Sequence, residues 1–93
     1  MDSEPKPDVF KALADPSRRH ILKLLQSGSK TAGELSEAFE MTKGTLSHHL
    51  SILKKAELVR CEHCGQQRVY SLNMTVFEEV VSLLFGLFRK TNS

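Results

Sequence analysis

The sequence predicts a mainly α-helical fold of about five helices with one small β-hairpin. Apolar residues recur at helical spacing through most of the 93 residues, and capping residues divide this pattern into separate segments. The spacing becomes strand-like only after Ala56. A chain of this length forms one domain, residues 1–93, whose modest core makes association of two copies a natural source of extra stability.

The first two helices are predicted at residues 8–27, after a flexible tail at residues 1–7. Asp8 is placed to cap the first helix. Asp15 and Pro16 are a typical start for the second, because an aspartate accepts hydrogen bonds from the first turn and proline fits the first helical position.

A helix-turn-helix is predicted at residues 31–55. Thr31 and Glu34 form a capping box that begins its first helix, and Thr42 caps its second helix after a tight connection. One side of the second helix is apolar and should face the core; it consists of Leu46, Leu50 and Leu53.

The opposite side of this second helix carries only small, hydrogen-bonding or cationic residues. Small residues permit close approach to a DNA major groove, hydroxyls and imidazoles read base edges, and lysines contact phosphates. A solvated helix face is the alternative interpretation. The net charge is only +2, but between Thr42 and Arg60 the cations outnumber the single anion, Glu57. The candidate DNA-binding residues of this segment are Thr42, Lys43, Gly44, Thr45, Ser47, His48, Ser51 and Lys54.

Three further residues near these helices have structural interpretations. His49 lies close to the apolar side, which favours packing with one ring nitrogen hydrogen-bonded over a DNA contact. Arg18 and Arg19 lie at the start of the second helix, where positive charge opposes the helix dipole. We therefore expect an acidic group to hold them in an ion pair, with DNA phosphate as the alternative.

A β-hairpin is predicted at residues 58–72, with strands at 58–62 and 67–72 and a turn between them that contains Cys64 and Gly65. A hairpin directly after a recognition helix is a wing, so the whole pattern is that of a winged helix-turn-helix. Arg60 and Arg68 are candidate contacts to DNA phosphates or the minor groove, although exposed arginines on hairpins are common.

The wing contains three possible zinc ligands, Cys61, His63 and Cys64. Zinc requires four ligands, and the second Cys-x-x-Cys pair of a zinc ribbon is missing. Incidental cysteines are the favoured interpretation, with a zinc site or a thiol switch as alternatives. We therefore expect no cofactor.

The last helix is predicted at residues 75–90, beginning with a capping box of Thr75 and Glu78. Its apolar residues cover an arc of roughly 200°, about twice what docking on one core requires. Two apolar partners are therefore expected, the chain's own core and the same helix of a second copy. The predicted dimer interface consists of Val9, Phe10, Leu13, Phe77, Val80, Val81, Leu84, Phe85 and Phe88.

The chain shows no signal peptide and no apolar run long enough to span a bilayer. We expect a cytoplasmic protein with reduced cysteines and no membrane insertion. No nucleophile with a base, phosphate loop or complete metal site is apparent, which argues against an enzyme.

Four sequence blocks, in order, resemble the ArsR/SmtB family of bacterial winged-helix repressors: DPSRRHILKLL at 15–25, TAGELSEAF at 31–39, TLSHHLSILKKAELV at 45–59 and VYSLN at 69–73. The resemblance implies five helices and a two-stranded wing, dimerised through the terminal helices. It also implies a homodimeric transcriptional repressor that blocks a double-stranded DNA operator, with an inverted repeat as the expected site.

The chain departs from the metal-sensing branches of that family. It has no cysteines on the third helix and no histidine on the last helix, where those branches place their ligands. It is similar instead to the short autorepressor-like members without known metal sites. The alternatives are a metal- or thiol-responsive repressor that uses Cys61, His63 and Cys64, and a winged-helix protein-interaction module.

Overall fold

The computed structural model describes residues 5–89 and contains five helices and a three-stranded sheet. Residues 1–4 of the predicted tail and residue 90 of the predicted last helix lie outside the described residues. The predicted mainly helical fold with a hairpin is confirmed. The elements in order are α1 (Pro7–Leu13), α2 (Pro16–Leu25), β1 (Lys30–Thr31), α3 (Ala32–Ala38), α4 (Lys43–Lys55), β2 (Val59–Cys64), β3 (Gln67–Leu72) and α5 (Met74–Phe88).

The buried apolar residues form one core cluster to which every helix contributes. The amphipathic spacing of α2, α4 and α5 explains this, because each helix turns one apolar side inward. None of the described helices is both long enough and apolar enough to cross a membrane. The largest side chains in this core that are fully buried are Ile21, Leu35, Leu53, Leu58 and Val9.

Two predicted helix starts are confirmed. The Asp15 carboxylate accepts hydrogen bonds from the backbone N–H groups of Ser17, at 2.8 Å, and Arg18, at 3.2 Å. These bonds, the one from Arg18 first, favour the charged carboxylate and lower the pKa of Asp15. Thr31 and Glu34 form the complete capping box, with distances of 2.8 and 3.0 Å between side-chain oxygen and backbone nitrogen.

Two other predicted caps, Asp8 and Thr75, are wrong. Asp8 lies in the first turn of α1, whose N-cap position is occupied by Lys6 without a side-chain bond. Thr75 lies inside α5, which begins one residue earlier, after Asn73. The Asn73 side chain points away from the helix and donates to the Glu57 carbonyl at 2.9 Å. This long-range contact carries no signal in the local sequence.

The predicted flexible tail ends earlier than residue 7. Pro5 is buried, and Pro7 already begins α1. Between them, Lys6 Nζ forms an ion pair with Glu57 Oε2 at 2.6 Å. This hydrogen bond raises the pKa of Lys6 and lowers the pKa of Glu57. The chain is therefore attached to the domain from Pro5 onward.

The sheet has the strand order β1-β3-β2 and is antiparallel throughout. The predicted wing is the β2–β3 hairpin, but Cys64 pairs with Gln67 inside it, so the turn lies at Gly65 and Gln66. Gly65 has a φ of +67°, which favours glycine. The two-residue strand β1, which pairs with Val69 and Tyr70, was not predicted from the sequence.

We expect Thr31→Ala to lower the free energy of unfolding by about 1 kcal/mol, because it removes an N-cap. Thr75→Ala should change it by less than about 0.5 kcal/mol, because a side chain inside the first turn of α5 caps nothing. Urea denaturation of both variants measures the difference. Equal losses would show that the capping box does not stabilise α3.

Candidate nucleic-acid interface

Helix α4 is held in the domain by the predicted apolar side. Leu46, Leu50 and Leu53 are all buried, and Thr42 caps the helix through a 3.1 Å bond from the Thr45 backbone N–H to its hydroxyl oxygen. Within the described residues, α4 packs against α1, α2 and β2. The rotation of the helix about its axis is therefore fixed by the core.

The opposite side of α4 is open to solvent. No Asp or Glu occurs between Met41 and Ala56, so its surface carries only neutral and cationic groups. Every residue that the sequence predicted for DNA contact on this segment is exposed, and the residues are Thr42, Lys43, Gly44, Thr45, Ser47, His48, Ser51 and Lys54.

Gly44 has no packing role within the subunit. A Cβ atom added at this position would meet only the Thr42 hydroxyl, at 4.0 Å. Glycine is a poor helix former, so its presence in the first turn is not explained by the fold. A bare backbone at an exposed position permits close approach of another molecule, as a DNA groove requires.

A cleft separates α4 from the wing and has two adjoining parts of about 300 and 420 Å³. Ser47 and Leu50 from α4, and Arg68 and Tyr70 from β3, line both parts. Ser51, Lys54 and Lys55 complete the more polar part. The cleft thus brings hydroxyls and cations of two elements to one place, which suits a DNA phosphate.

The two predicted wing arginines lie on opposite faces of the hairpin. Arg68 is paired with His63 and shares its face with Tyr70, toward α4. Arg60 is paired with Ser71 on the other face, and its guanidinium donates to Asn73 Oδ1 at 3.4 Å. Only Arg68 therefore lines the cleft beside α4.

Three polar residues that line the cleft were not predicted as contacts, and they are Ser36, Lys55 and Tyr70. Tyr70 is 6% exposed and stands opposite Cys61 in the sheet. Burial, and then the neighbouring Cys61 thiol, raise the pKa of Tyr70, so its phenol remains neutral at physiological pH. Strand alternation could have placed Tyr70 beside Arg68, because they are two residues apart.

The structure does not bring Cys61, His63 and Cys64 together. All three lie on β2, where Cys61 and His63 share one face and Cys64 lies on the other. Among the described residues, no group of three His, Cys, Asp or Glu side chains could hold a metal ion. Cys64 also lies three residues after Cys61 along the strand, a distance of roughly 10 Å. This is beyond the reach of a disulfide.

Helix α4 is exposed, has no acidic residues, lies beside a wing and is anchored in a helical core. This arrangement defines a winged helix-turn-helix DNA-binding protein. Comparisons with known proteins identify the family. Residues 15–60 match the family model "Bacterial regulatory protein, arsR family". The chain belongs to this family, and the resemblance predicted from the four sequence blocks is confirmed.

Two relatives and one solved structure illustrate the match. The transcriptional repressor SdpR of Bacillus subtilis (strain 168) is 45% identical over 83 residues, which cover 89% of this chain and 92% of that protein. The arsenical resistance operon repressor of the same organism is 45% identical over 76 residues, covering 81% and 70% respectively. The crystal structure of the ArsR family transcriptional regulator RHA00566 has a TM-score of 0.79 at 30% identity, covering 86% of this chain and 82% of that one.

We expect Arg68→Ala to weaken binding to duplex DNA and to lower the slope of log affinity against log salt by about 1. Arg60→Ala, the matched control on the opposite face of the wing, should change the slope less. Fluorescence anisotropy with a labelled duplex, between about 50 and 200 mM salt, measures both slopes. A larger effect of Arg60→Ala would place the DNA on the other face of the wing.

Proposed function

We propose that the protein is a homodimeric repressor that binds an inverted repeat in double-stranded DNA and so blocks transcription. The observation that carries this proposal is the exposed side of α4, which is free of acidic residues and anchored by its buried leucines. In this proposal the first residues of α4 enter the major groove, Ser47 and His48 face base edges, and the cleft with Arg68 holds the DNA backbone.

The names of the relatives support repression as the direction of control. SdpR is named a transcriptional repressor, and the alignment covers nearly the whole of both chains. The arsenical resistance operon repressor has the same kind of name.

The proposal of a dimer rests on the unpartnered side of α5. Val76 and Val80 of this helix are buried in the subunit core. A second apolar stripe lies on another side of the helix, at the spacing i, i+3, i+4 and i+7. Its members are exposed to between 44% and 82%, and they are Val81, Leu84, Phe85 and Phe88.

The proposed interface retains most of the predicted residues. Phe10 of α1 is also exposed, whereas Leu13 and Phe77 are half-buried and pack against the core. Val9 and Val80 belong to the subunit core, so they support the interface from beneath. Two such subunits related by a twofold axis would present two α4 helices to half-sites about one helical turn apart, roughly 34–36 Å.

Selection of duplexes from a random-sequence pool, followed by transcription from a promoter that carries the selected site, tests the function. We expect one inverted repeat to emerge and the protein to reduce transcription from that promoter only. If no sequence is preferred over random duplex at moderate salt, the protein-interaction module becomes the better proposal.

We expect Gly44→Leu to abolish binding to the selected duplex and to leave the melting temperature unchanged or higher, because a side chain here meets open space in the subunit. Lys23→Ala, a charge change at an exposed position of α2, is the control that should bind as the wild type does. If the Gly44→Leu variant still binds the duplex, α4 does not enter the major groove.

We expect Phe85→Asp to convert the dimer to a monomer in analytical ultracentrifugation, because it places a charge in the apolar stripe of α5. Ser82→Asp, on the polar side of the same helix, should remain dimeric. Circular dichroism checks that both variants are folded. If the Phe85→Asp variant is still a dimer, the dimer interface does not lie on the apolar stripe of α5.

A further inference from the structure

Arg18 joins three helices through its side chain. Its Nε donates to the carbonyl of Ala12 at 2.9 Å, and its Nη2 donates to the carbonyl of Lys11 at 3.1 Å. Both acceptors belong to the end of α1. Its Nη1 lies 3.3 Å from Nδ1 of His49, in the middle of α4. The expected ion pair with an acidic group is therefore wrong, because carbonyls and an imidazole satisfy the guanidinium instead.

The geometry of this contact gives His49 one role in it. A guanidinium can only donate, so in a hydrogen bond between Arg18 Nη1 and His49 Nδ1 the ring nitrogen is the acceptor. His49 is half-buried, as its place near the apolar side predicted, and the next residue toward the N-terminus, His48, is exposed on the open side of α4. The two rings are 6.0 Å apart between centroids.

We propose that Arg18 is a positioning residue for DNA recognition, which holds α4 in register with α1 through His49. This inference rests on the proposed function. Helix α1 carries Phe10, which we place at the dimer interface, and α4 carries the exposed residues that we place in the groove. Arg18 therefore connects the surface that sets the subunit arrangement with the surface that reads DNA.

The chemistry of arginine explains why this residue type stands here. Its planar guanidinium presents donors in a fixed fork, so the positions of two α1 carbonyls determine where the third donor points. Lysine offers one flexible ammonium group and cannot hold three acceptors in that geometry. A small tilt of α4 would change the depth of Lys43 and His48 in the groove, which affects base contacts more than phosphate contacts.

Arg19 provides a matched control within the chain. Its Nη1 donates to the carbonyl of Leu13 at 2.7 Å, so it also caps α1. No hydrogen bond from Arg19 to α4 is found among the described residues. The two arginines thus share their contribution to the end of α1 and differ in the contact with His49.

The first test compares Arg18→Met with Arg19→Met. For each folded variant, anisotropy gives the ratio of affinity for the selected duplex to affinity for a random duplex. We expect Arg18→Met to lower this ratio about tenfold while binding to random duplex persists, and Arg19→Met to keep the wild-type ratio. An unchanged ratio in Arg18→Met, or equal losses in the two variants, would overturn the proposal.

The second test acts on the acceptor and holds even if Arg18→Met does not fold. Asparagine places its Oδ1 on Cγ, as histidine places Nδ1, so His49→Asn keeps an acceptor for Arg18. His49→Leu keeps bulk and removes the acceptor. We expect His49→Asn to keep the ratio of affinities for selected and random duplex near that of the wild type. His49→Leu should lower this ratio about tenfold. Equal ratios in the two variants would show that the acceptor does not matter.

The two tests distinguish this inference from the proposed function. If the wild-type protein selects no duplex, the proposed function fails. If the wild-type protein is selective but the Arg18 and His49 variants keep its ratio, only the positioning role fails.

Discussion

The burial of three leucines of α4 is the interaction on which the rest of the structure depends. Leu46, Leu50 and Leu53 are almost fully buried, and truncation of a buried leucine typically costs roughly 2–5 kcal/mol of a total stability of about 5–15 kcal/mol. The same stripe sets the rotation of the helix. Because α4 has one apolar side, its burial leaves the opposite side exposed, and a slip of one residue would rotate both sides by about 100° away from these positions. Fold stability and exposure of the candidate DNA surface therefore depend on the same side chains.

The last helix adds a second constraint, because a small domain buries only part of its apolar surface. Val76 and Val80 complete the subunit core, while Phe85 and Phe88 are left 67% and 82% exposed. Exposed aromatic side chains in a contiguous stripe favour association. The sequence predicted a wide apolar arc on this helix. One part of the arc packs in the subunit core, and the other part forms the interface that we propose.

Local signals in the sequence predicted most of the fold, and long-range contacts account for what it missed. Asp15, Thr31 and Thr42 act as caps because each bonds to its own first turn, which the local sequence determines. Thr75 failed as a cap because α5 begins after Asn73, whose side chain bonds to the distant Glu57 carbonyl. The acceptors of Arg18 are carbonyls of another helix and one imidazole, for which no sequence pattern exists. The opposite faces of Arg60 and Arg68 follow from strand alternation, but only once the register of the hairpin is known.

The distribution of charge suggests why DNA binding would depend on the proposed dimer. The net charge is only +2, so we propose that attraction to DNA comes from a local group of cations, Lys43, Lys54, Lys55 and Arg68. Each phosphate contact releases counterions, and the salt slope of binding grows by about 0.9 for each contact. In the proposed dimer, two subunits on one duplex would double the number of such contacts. A monomer would retain half of the electrostatic attraction and one reading helix, so loss of the α5 contact would lower affinity and sequence preference together.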